Sequence, residues 1–369
     1  MKYKFNIGAN VMEYMRLEDI TSFVRNLNSE CTVISNHDDY LIVGSKEGLL
    51  ICWSINSGIE KWRNKFEGPC SELIIFEKKV YLTEEGNVHS IDLLKGKILW
   101  SLKLEGLSDF VQVNNGDIWV SSSIYDLHIS NYSESMIWHL DQNGKILEKW
   151  IIEGKPWFFC STKYGVCIGL SRPKCGYGKI IPGKEVEYVS LKNKNPITTG
   201  FKKDQIIYLG HSNGLITILD KNEIQEVKIG DSSVKAIEIM KDMVIGLESG
   251  MIYSKENNWE YNADGIIDKI VNGPLIEGID CLWSSAWAKN SKISIIDVES
   301  GTLKYIIKHN SRIREMKSNG EILVLGDSEG KIFLIEEKVL NRRLKSSKKL
   351  EVNDEKRSLL KERIRKLRD

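Results

Sequence analysis

An internal repeat of 38 residues constrains this chain more than any other feature. A glycine, a second glycine ten residues later and a tryptophan four residues after that occur twice, 38 positions apart. The two sets are Gly48, Gly58, Trp62 and Gly86, Gly96, Trp100. Short apolar segments alternate with glycine-containing turns around these positions, and none of the segments has helical spacing. A period of about 40 residues made of strands predicts sheets that pack in series, because one sheet alone cannot bury its faces.

Further copies of the unit extend over most of the chain. A Gly-x-x-x-Gly pattern with a polar tip links two apolar runs, as expected for the hairpin between the second and third strands of a sheet. This pattern begins at Gly44, Gly210, Gly246 and Gly326. Second-strand segments fall near Leu41, Val80, Ile118, Val166, Ile206, Val244, Cys281 and Leu323. The sequence therefore predicts an all-β chain, a β-propeller of four-stranded antiparallel blades, with eight blades favoured over seven.

The composition divides the chain into two parts. Residues 338–369 hold 13 Lys and Arg against 5 Asp and Glu, a net charge of +8, which leaves −7 for residues 1–337. We expect residues 1–337 to form the propeller and residues 338–369 to form a basic linker and a short helix. Residues 3–7 alternate like a strand, and we expect this N-terminal strand to close the ring by pairing with the last blade.

The basic tail has a narrow apolar stripe. Leu360, Ile364 and Leu367 recur at spacings of four and three, which predicts an amphipathic helix over 355–368 after a polar linker at 345–349. Three interpretations stay open: a tail that is disordered or packs on its own propeller, a helix that docks on a protein partner, and a basic segment that contacts nucleic-acid phosphates. Insertion into a membrane is less favoured, because the stripe has no Trp or Phe.

Four segments that contain a turn followed by an aromatic residue resemble a known repeat. The segments Asp92-x-x-x-Gly96-x-x-x-Trp100, Asn56 to Trp62, Asp141 to Trp150 and Asp297 to Tyr305 resemble the D-x-x-T-G-x-x-x-W element of quinoprotein-type (PQQ-like) propellers. The similarity to WD40 propellers is looser, because the chain has no Trp-Asp dipeptide. The resemblance covers roughly residues 33–337 and concerns the fold. It implies that Trp62, Trp100 and Trp150 pack between blades.

Some relatives of this kind are exported, calcium-bound quinone enzymes, and this raises an enzyme hypothesis. The chain has no adjacent cysteine pair and no Asp/Glu/Asn cluster with the spacing of a calcium site. Its six histidines lie in different repeats, and no phosphate-binding loop or nucleophile elbow occurs. We therefore expect no catalytic residues, no cofactor and no metal site, and a quinoprotein-like enzyme is the least favoured function.

Departures from the repeat give candidate binding residues. Longer links between second and third strands are expected at 122–134, 171–184 and 284–290, all on one face of the ring. The second of these links carries basic residues beside a tyrosine, and the third carries a tryptophan. The candidate partner-binding residues are Arg172, Lys174, Tyr177, Lys179 and Trp287, with Leu360, Ile364 and Leu367 in the tail. Each loop also has a plainer interpretation as mobile solvated chain or as a cover for a blade end.

The N-terminal segment and the cysteines bear on the location of the protein. The first thirty residues contain no uninterrupted apolar segment, and the seven cysteines are scattered without a Cys-x-x-Cys pair, which favours a cytoplasmic protein with reduced thiols. We expect a non-catalytic scaffold for protein–protein interaction. The alternative is an RNA- or DNA-associated accessory subunit of a modifying enzyme.

Overall fold

The computed structural model of the chain describes residues 15–128, 130–221 and 223–346. In these ranges, 32 strands form eight four-stranded antiparallel sheets, the blades I to VIII. The first elements are α1 (Leu17–Ile20) and β1 (Phe23–Asn26). Blade I contains β2 (Cys31–His37), β3 (Tyr40–Ser45), β4 (Leu49–Ser54) and β5 (Glu60–Lys65); blade II contains β6 (Cys70–Phe76), β7 (Lys79–Glu84), β8 (Asn87–Asp92) and β9 (Ile98–Lys103).

The next four blades follow the same order. Blade III contains β10 (Leu107–Asn114), β11 (Asp117–Asp126), β12 (Asn131–Leu140) and β13 (Ile146–Glu153); blade IV contains β14 (Pro156–Ser161), β15 (Val166–Leu170), β16 (Gly176–Ile180) and β17 (Glu187–Ser190). Blade V contains β18 (Ile197–Lys203), β19 (Ile206–His211), β20 (Leu215–Asp220) and β21 (Glu223–Lys228); blade VI contains β22 (Val234–Ile239), β23 (Met243–Leu247), β24 (Met251–Ser254) and β25 (Trp259–Asn262).

The last two blades complete the ring. Blade VII contains β26 (Ile266–Ile276), β27 (Ile279–Trp287), β28 (Ser291–Asp297) and β29 (Leu303–His309); blade VIII contains β30 (Ile313–Ser318), β31 (Ile322–Asp327) and β32 (Lys331–Glu336), with β1 as its fourth strand. The predicted all-β propeller with eight four-stranded blades is confirmed. Each predicted second strand coincides with the second strand of one blade.

Burial follows from the stacking of blades around the ring. In blade I, β3 and β4 bury five of their six residues, because neighbouring blades cover both faces of these middle strands. The outer strand β9 alternates between exposed and half-buried residues, because its sheet edge faces solvent. First strands line a central channel. Links from second to third strands and between blades lie on one face of the ring, here the upper face, and the other links lie on the lower face.

The two positions of the Gly-x-x-x-Gly pattern require glycine for different reasons. A Cβ at Gly44 would lie 2.6 Å from the Cβ of Cys70 in the next blade, so the first glycine permits close packing of blades. Gly48 has a φ of +78°, and a Cβ there would lie 2.5 Å from the carbonyl oxygen of Gly68. The pattern is therefore both a turn signal and a packing signal.

The repeated tryptophans pack between blades, as the resemblance implies. Trp62 Nε1 donates to Leu93 O at 2.8 Å, and the ring covers the turn at Gly96, whose φ is +67°. Trp100 donates to Gln142 O and Trp150 to Lys184 O in the same way, at 3.0 and 2.8 Å. Each tryptophan thus satisfies a carbonyl of the next blade while it buries apolar surface.

The N-terminal part of the chain closes the ring. The closing strand is Phe23–Asn26, which pairs antiparallel with β32 in blade VIII. It occupies the position that the sequence analysis assigned to residues 3–7, which lie outside the described residues. Arg25 stands where blades I, II and III have the tryptophan, and its Nε and Nη2 donate to Gly58 O at 3.0 and 2.6 Å.

A second helix, α2, covers residues 337–346 and follows β32 directly. Its Leu340 and Leu344 are 0% and 3% exposed and join the hydrophobic core of blades VII and VIII. The segment predicted as a polar linker, 345–349, therefore starts inside this helix. The predicted helix over 355–368, with Leu360, Ile364 and Leu367, lies outside the described residues.

Candidate partner-binding surface

The blade IV segment predicted as a long loop contains the third strand, β16. Only 171–175 and 181–186 are links, and Tyr177 is 4% exposed, in a core cluster with Cys167 and Leu209. The predicted link at 171–184 is therefore wrong in its extent, and Tyr177 lies in the core of the blade rather than on a loop. A Cβ at Gly178 would lie 2.9 Å from Ile168 Cγ1. The glycine is needed for packing inside the sheet rather than for a turn.

The basic residues of this segment do not form one patch. Arg172 and Lys174 are exposed on the upper face, where Lys174 pairs with Glu153 at 3.2 Å. Lys179 lies within β16 and pairs with Glu187 at 3.4 Å. Their positive charges are thus spread over the blade and partly neutralised by neighbouring carboxylates.

Trp287 is the last residue of β27 and lies half-buried on the upper face. The expected loop 284–290 is mostly strand, because only 288–290 lie between β27 and β28. Arg312 Cζ lies 5.9 Å from the centroid of the Trp287 ring, and the same guanidinium pairs with Asp268. Trp287 is therefore packed against a neighbouring link instead of projecting from a free loop.

The largest projection on the upper face is the β11–β12 hairpin of blade III. Each strand has ten residues, whereas β7 and β8 of blade II have six. Four residue pairs extend the hairpin beyond Ser122. At about 3.3 Å per residue, these pairs carry the turn about 13 Å farther out. Near its tip, Tyr125 and Leu127 are 45% and 82% exposed.

Aromatic residues connect this hairpin to the mouth of the channel. Tyr125 and Tyr132 meet edge to face, with ring centroids 5.2 Å apart. Lys155 Nζ lies 4.4 Å from the centroid of Tyr132 and 5.7 Å from that of Trp157, which is 47% exposed. We name Tyr125, Leu127, Tyr132 and Trp157 the aromatic patch. Lys155 joins its two halves through contacts of its ammonium group with both rings.

A buried hydrogen-bond network fixes Lys155 under the patch. Lys155 Nζ pairs with Asp109, and these side chains are only 17% and 11% exposed. Ser123 Oγ donates to Asp109 Oδ2 at 2.5 Å, and Ser135 Oγ donates to Ser123 Oγ at 2.8 Å. The charge of Lys155 is therefore neutralised from below, and the exposed surface above it is apolar and pre-organised.

Sequence reasoning located the insertion at 122–134 but did not name the residues of the aromatic patch. A signal for part of it exists, because the insertion contains two tyrosines, Tyr125 and Tyr132, which the structure places directly opposite each other across the hairpin. Trp157 gave no such signal, since its exposure results from a β-bulge in the inner strand of the next blade.

The same bulge recurs in all eight inner strands and shapes the channel. It lies at Thr32, Ser71, Asp109, Trp157, Thr198, Lys235, Asp268 and Arg314. A cavity of about 780 Å³ lies on the axis and shares lining residues with a second cavity of about 460 Å³. An aromatic arc of Phe110, Trp157, Phe158 and Phe201 lines the side of blades III to V.

Carboxylates and lysines line the other side of the channel. Burial raises the pKa of Glu72 to about 7, although Val111 N donates to its carboxylate at 2.8 Å and Lys317 attracts it. Burial likewise raises the pKa of Glu238 to about 7, and attraction by Lys317 and Lys203 opposes this shift only in part. One lysine, Lys317, thus serves as a distant counterion of both carboxylates.

The residues present do not fit a calcium-bound quinone group. Calcium requires six to eight oxygen ligands, several of them from carboxylates. In the described part of the chain, no group of three or more His, Cys, Asp or Glu side chains is placed to hold a metal ion. The buried histidines serve the blades instead: His309 Nε2 lies 2.8 Å from Asp327 Oδ2, in a pair that is almost fully buried.

Comparisons with known proteins agree with this architecture. Residues 22–146 match the family model described as outer membrane protein assembly factor BamB, and no curated protein matches the chain. BamB from Moraxella catarrhalis has a similar structure, with 14% identity and a TM-score of 0.65 over 86% of this chain and 97% of that one. In the described ranges, no helix has the length and apolar character that crossing a bilayer requires.

Two further solved structures share the fold. Saccharomyces cerevisiae Sqt1 has 12% identity and a TM-score of 0.71, over 86% of this chain and 98% of that one. The computationally designed Ika8 protein has 16% identity and a TM-score of 0.65, over 85% of this chain and 98% of that one. At these identities, the likeness concerns the fold.

Proposed function

Because the chain carries the repeats of the PQQ-like β-propeller family, we propose that it is a non-catalytic scaffold that binds a protein partner through the aromatic patch. The exposure of Leu127, Tyr125 and Trp157 on one side of the upper face carries this proposal. Tyrosine and tryptophan are enriched in the cores of protein interfaces, and exposed apolar patches on soluble proteins mark contact surfaces.

The pre-organisation of the patch supports a binding role. A partner would not need to order these side chains, because the network under Lys155 and the contact of Tyr125 with Tyr132 already hold them. The matched family model is described as that of an assembly factor, and this description supports a role in protein assemblies for the present chain.

A cytoplasmic location belongs to the same proposal. All seven cysteines are buried and unbridged in the described residues. Burial raises the pKa of both Cys52 and Cys70 to about 12, so these thiols stay protonated and unreactive. Such cysteines pack as small apolar residues, which suits a protein in a reducing compartment.

The second candidate function is an accessory subunit associated with nucleic acid. The net charge of +8 on residues 338–369 favours it, because basic tails bind phosphates. The patch itself provides no cluster of free cations, since Lys155 is paired with Asp109. We therefore rank this function below protein binding.

The test compares variants of the two faces in the native host. The tagged chain is isolated under mild conditions, and bound proteins and nucleic acid are quantified for the wild type and for the double variant Tyr125→Ser, Leu127→Ser. The double variant Ile59→Ser, Leu94→Ser is the control, because these residues are 67% and 52% exposed on the lower face. We expect the patch variant alone to lose a protein partner. A third variant lacks residues 347–369. Retention of every protein partner by the patch variant would contradict the proposal. So would a pattern in which RNA or DNA is the bound component and only the deletion of 347–369 releases it.

A further inference from the structure

The central channel combines features that the scaffold role does not use. Its aromatic arc on blades III to V ends in a carboxylate on each side: Glu72 on blade II lies beside the blade of Phe110, and Glu238 on blade VI lies beside that of Phe201. Phe110 and Phe201 are half-buried, so part of each ring faces the cavity.

The charged groups of the channel divide into paired and unpaired ones. Among the five lining carboxylates, three have ion pairs: Asp109 with Lys155, Asp268 with Arg312, and Glu315 with Lys269. Glu72 and Glu238 have no cation within 4 Å among the described residues, and both lie in the wall of the cavity. Burial of a carboxylate without a paired cation is unfavourable, so a cation that enters the cavity would relieve it.

We propose that the channel is a binding site for a small organic cation, an amine whose apolar part lies against the aromatic arc and whose ammonium group lies beside Glu72 or Glu238. This site goes beyond the proposed function, because it lies in the lumen and does not require a protein partner. Aromatic faces attract ammonium groups most strongly where water is displaced, and carboxylates next to such faces select cations over anions.

The size of the cavity and its two carboxylates without a paired cation favour an amine as the ligand. About 780 Å³ lies within the usual range of small-molecule sites and is far larger than a bare ion needs. A ligand with a carboxylate or phosphate group would bring a like charge next to Glu72 and Glu238, and it could approach Lys235 and Lys317 in the same wall only away from the aromatic arc. Loss of one of these acidic groups is therefore expected to weaken the binding of an amine and not that of an anion.

The test uses the full chain and defined probes. Binding of 2-phenylethylamine, tryptamine and spermidine is measured by NMR titration, with 3-phenylpropanoate as the anionic counterpart of the first probe. At least one amine is expected to bind saturably, and the anion is not. Glu238→Gln and Glu72→Gln are expected to weaken the amine about tenfold or more, whereas the control Glu185→Gln, at an exposed lower-face link, leaves it unchanged.

Phe201→Leu tests the aromatic arc separately. It keeps an apolar side chain of similar volume and removes the ring, so the amine is expected to bind several-fold more weakly while thermal unfolding stays cooperative. Equal affinity for amine and anion, no saturable binding by any amine, or unchanged affinity in both glutamate variants would overturn the proposal. None of these results would affect the partner-binding role of the aromatic patch.

Discussion

At the scale of single residues, the contacts between blades depend on a tryptophan over a glycine turn. Gly96 combines a φ of +67° with a Cβ position only 2.6 Å from the Trp62 ring, so it has two independent reasons to be glycine. Gly183 has a φ of +72° and no atom within 4 Å of its Cβ position, so it has only the conformational reason. Comparison of the two positions separates the cost of backbone strain at positive φ from the cost of steric overlap with the tryptophan ring.

Gly96→Ala is therefore expected to destabilise the protein more than Gly183→Ala. Both variants bear the cost of a left-handed residue, about 1–2 kcal/mol, but only Gly96→Ala also displaces the Trp62 ring, at about 1–3 kcal/mol. Urea unfolding of the wild type and both variants measures the difference. Equal free energies of unfolding for the two variants would show that the tryptophan contact contributes nothing.

Glu72 makes stability depend on pH in a direction opposite to that of most carboxylates. Its pKa is raised to about 7 by burial, so the folded state holds a proton between about pH 4.5 and 7 that the unfolded chain releases. The contribution of Glu72 is thus fully present below about pH 4.5 and is lost as pH rises through 7. Glu72→Gln is expected to match the wild type at pH 4 and to be more stable at pH 8, by on the order of 1 kcal/mol. A difference in unfolding free energy that is the same at both pH values would contradict this.

The burial of Tyr177 could not be predicted from the residues next to it in the sequence. The sequence around it, with glycines on both sides and nearby prolines, is typical of a loop, and the charges suggested exposure. In the structure, these glycines lie where a neighbouring strand or side chain leaves no room for a Cβ atom. The requirement for glycine therefore depends on residues such as Ile168 in a different strand. Local composition does not contain that information.

At the scale of elements, α2 is the part that sequence reasoning placed least well. The apolar stripe at 360–367 drew attention to the end of the chain, whereas Leu340 and Leu344 are a single apolar pair, four residues apart, in a shorter stretch. Their burial depends on tertiary contacts: Asn341 Nδ2 donates to Leu275 O at 2.8 Å, and Arg343 Nη1 donates to the carbonyl oxygens of Glu18 and Asp19 at 3.2 and 3.1 Å. The helix therefore joins blade VII to the N-terminal segment.

Leu340→Ala is accordingly expected to lower the free energy of unfolding by about 2–5 kcal/mol, as for other fully buried leucines. Lys345→Ala in the same helix is the control and is expected to change this free energy by less than about 0.5 kcal/mol, because Lys345 is exposed. Thermal and urea unfolding measure both. A small effect of Leu340→Ala would show that α2 does not belong to the folded core and would leave truncation before residue 339 harmless.

At the scale of the whole molecule, ring closure joins the two ends of the propeller. β1 completes blade VIII, Arg25 binds Gly58 O in blade I, and Arg314 of blade VIII pairs with Glu30 at 3.2 Å. The number and order of blades followed from the 38-residue period, because each blade repeats the same contacts. The closing strand and the aromatic patch did not, since both depend on residues that deviate from the repeat.

The central claim is that the upper face of the molecule binds a protein partner. Site-specific photo-crosslinking tests this claim most directly. A photoreactive amino acid is placed at Leu127, the hairpin tip, or at Ile59 on the lower face, which is comparably exposed. We predict that in cells of the native host the chain labelled at 127 forms a defined covalent adduct with one protein, which Trp157→Ala abolishes, and that the chain labelled at 59 does not. An adduct from 59 and none from 127, or an adduct at 127 that persists in Trp157→Ala, would contradict the assignment of the aromatic patch as the partner-binding surface.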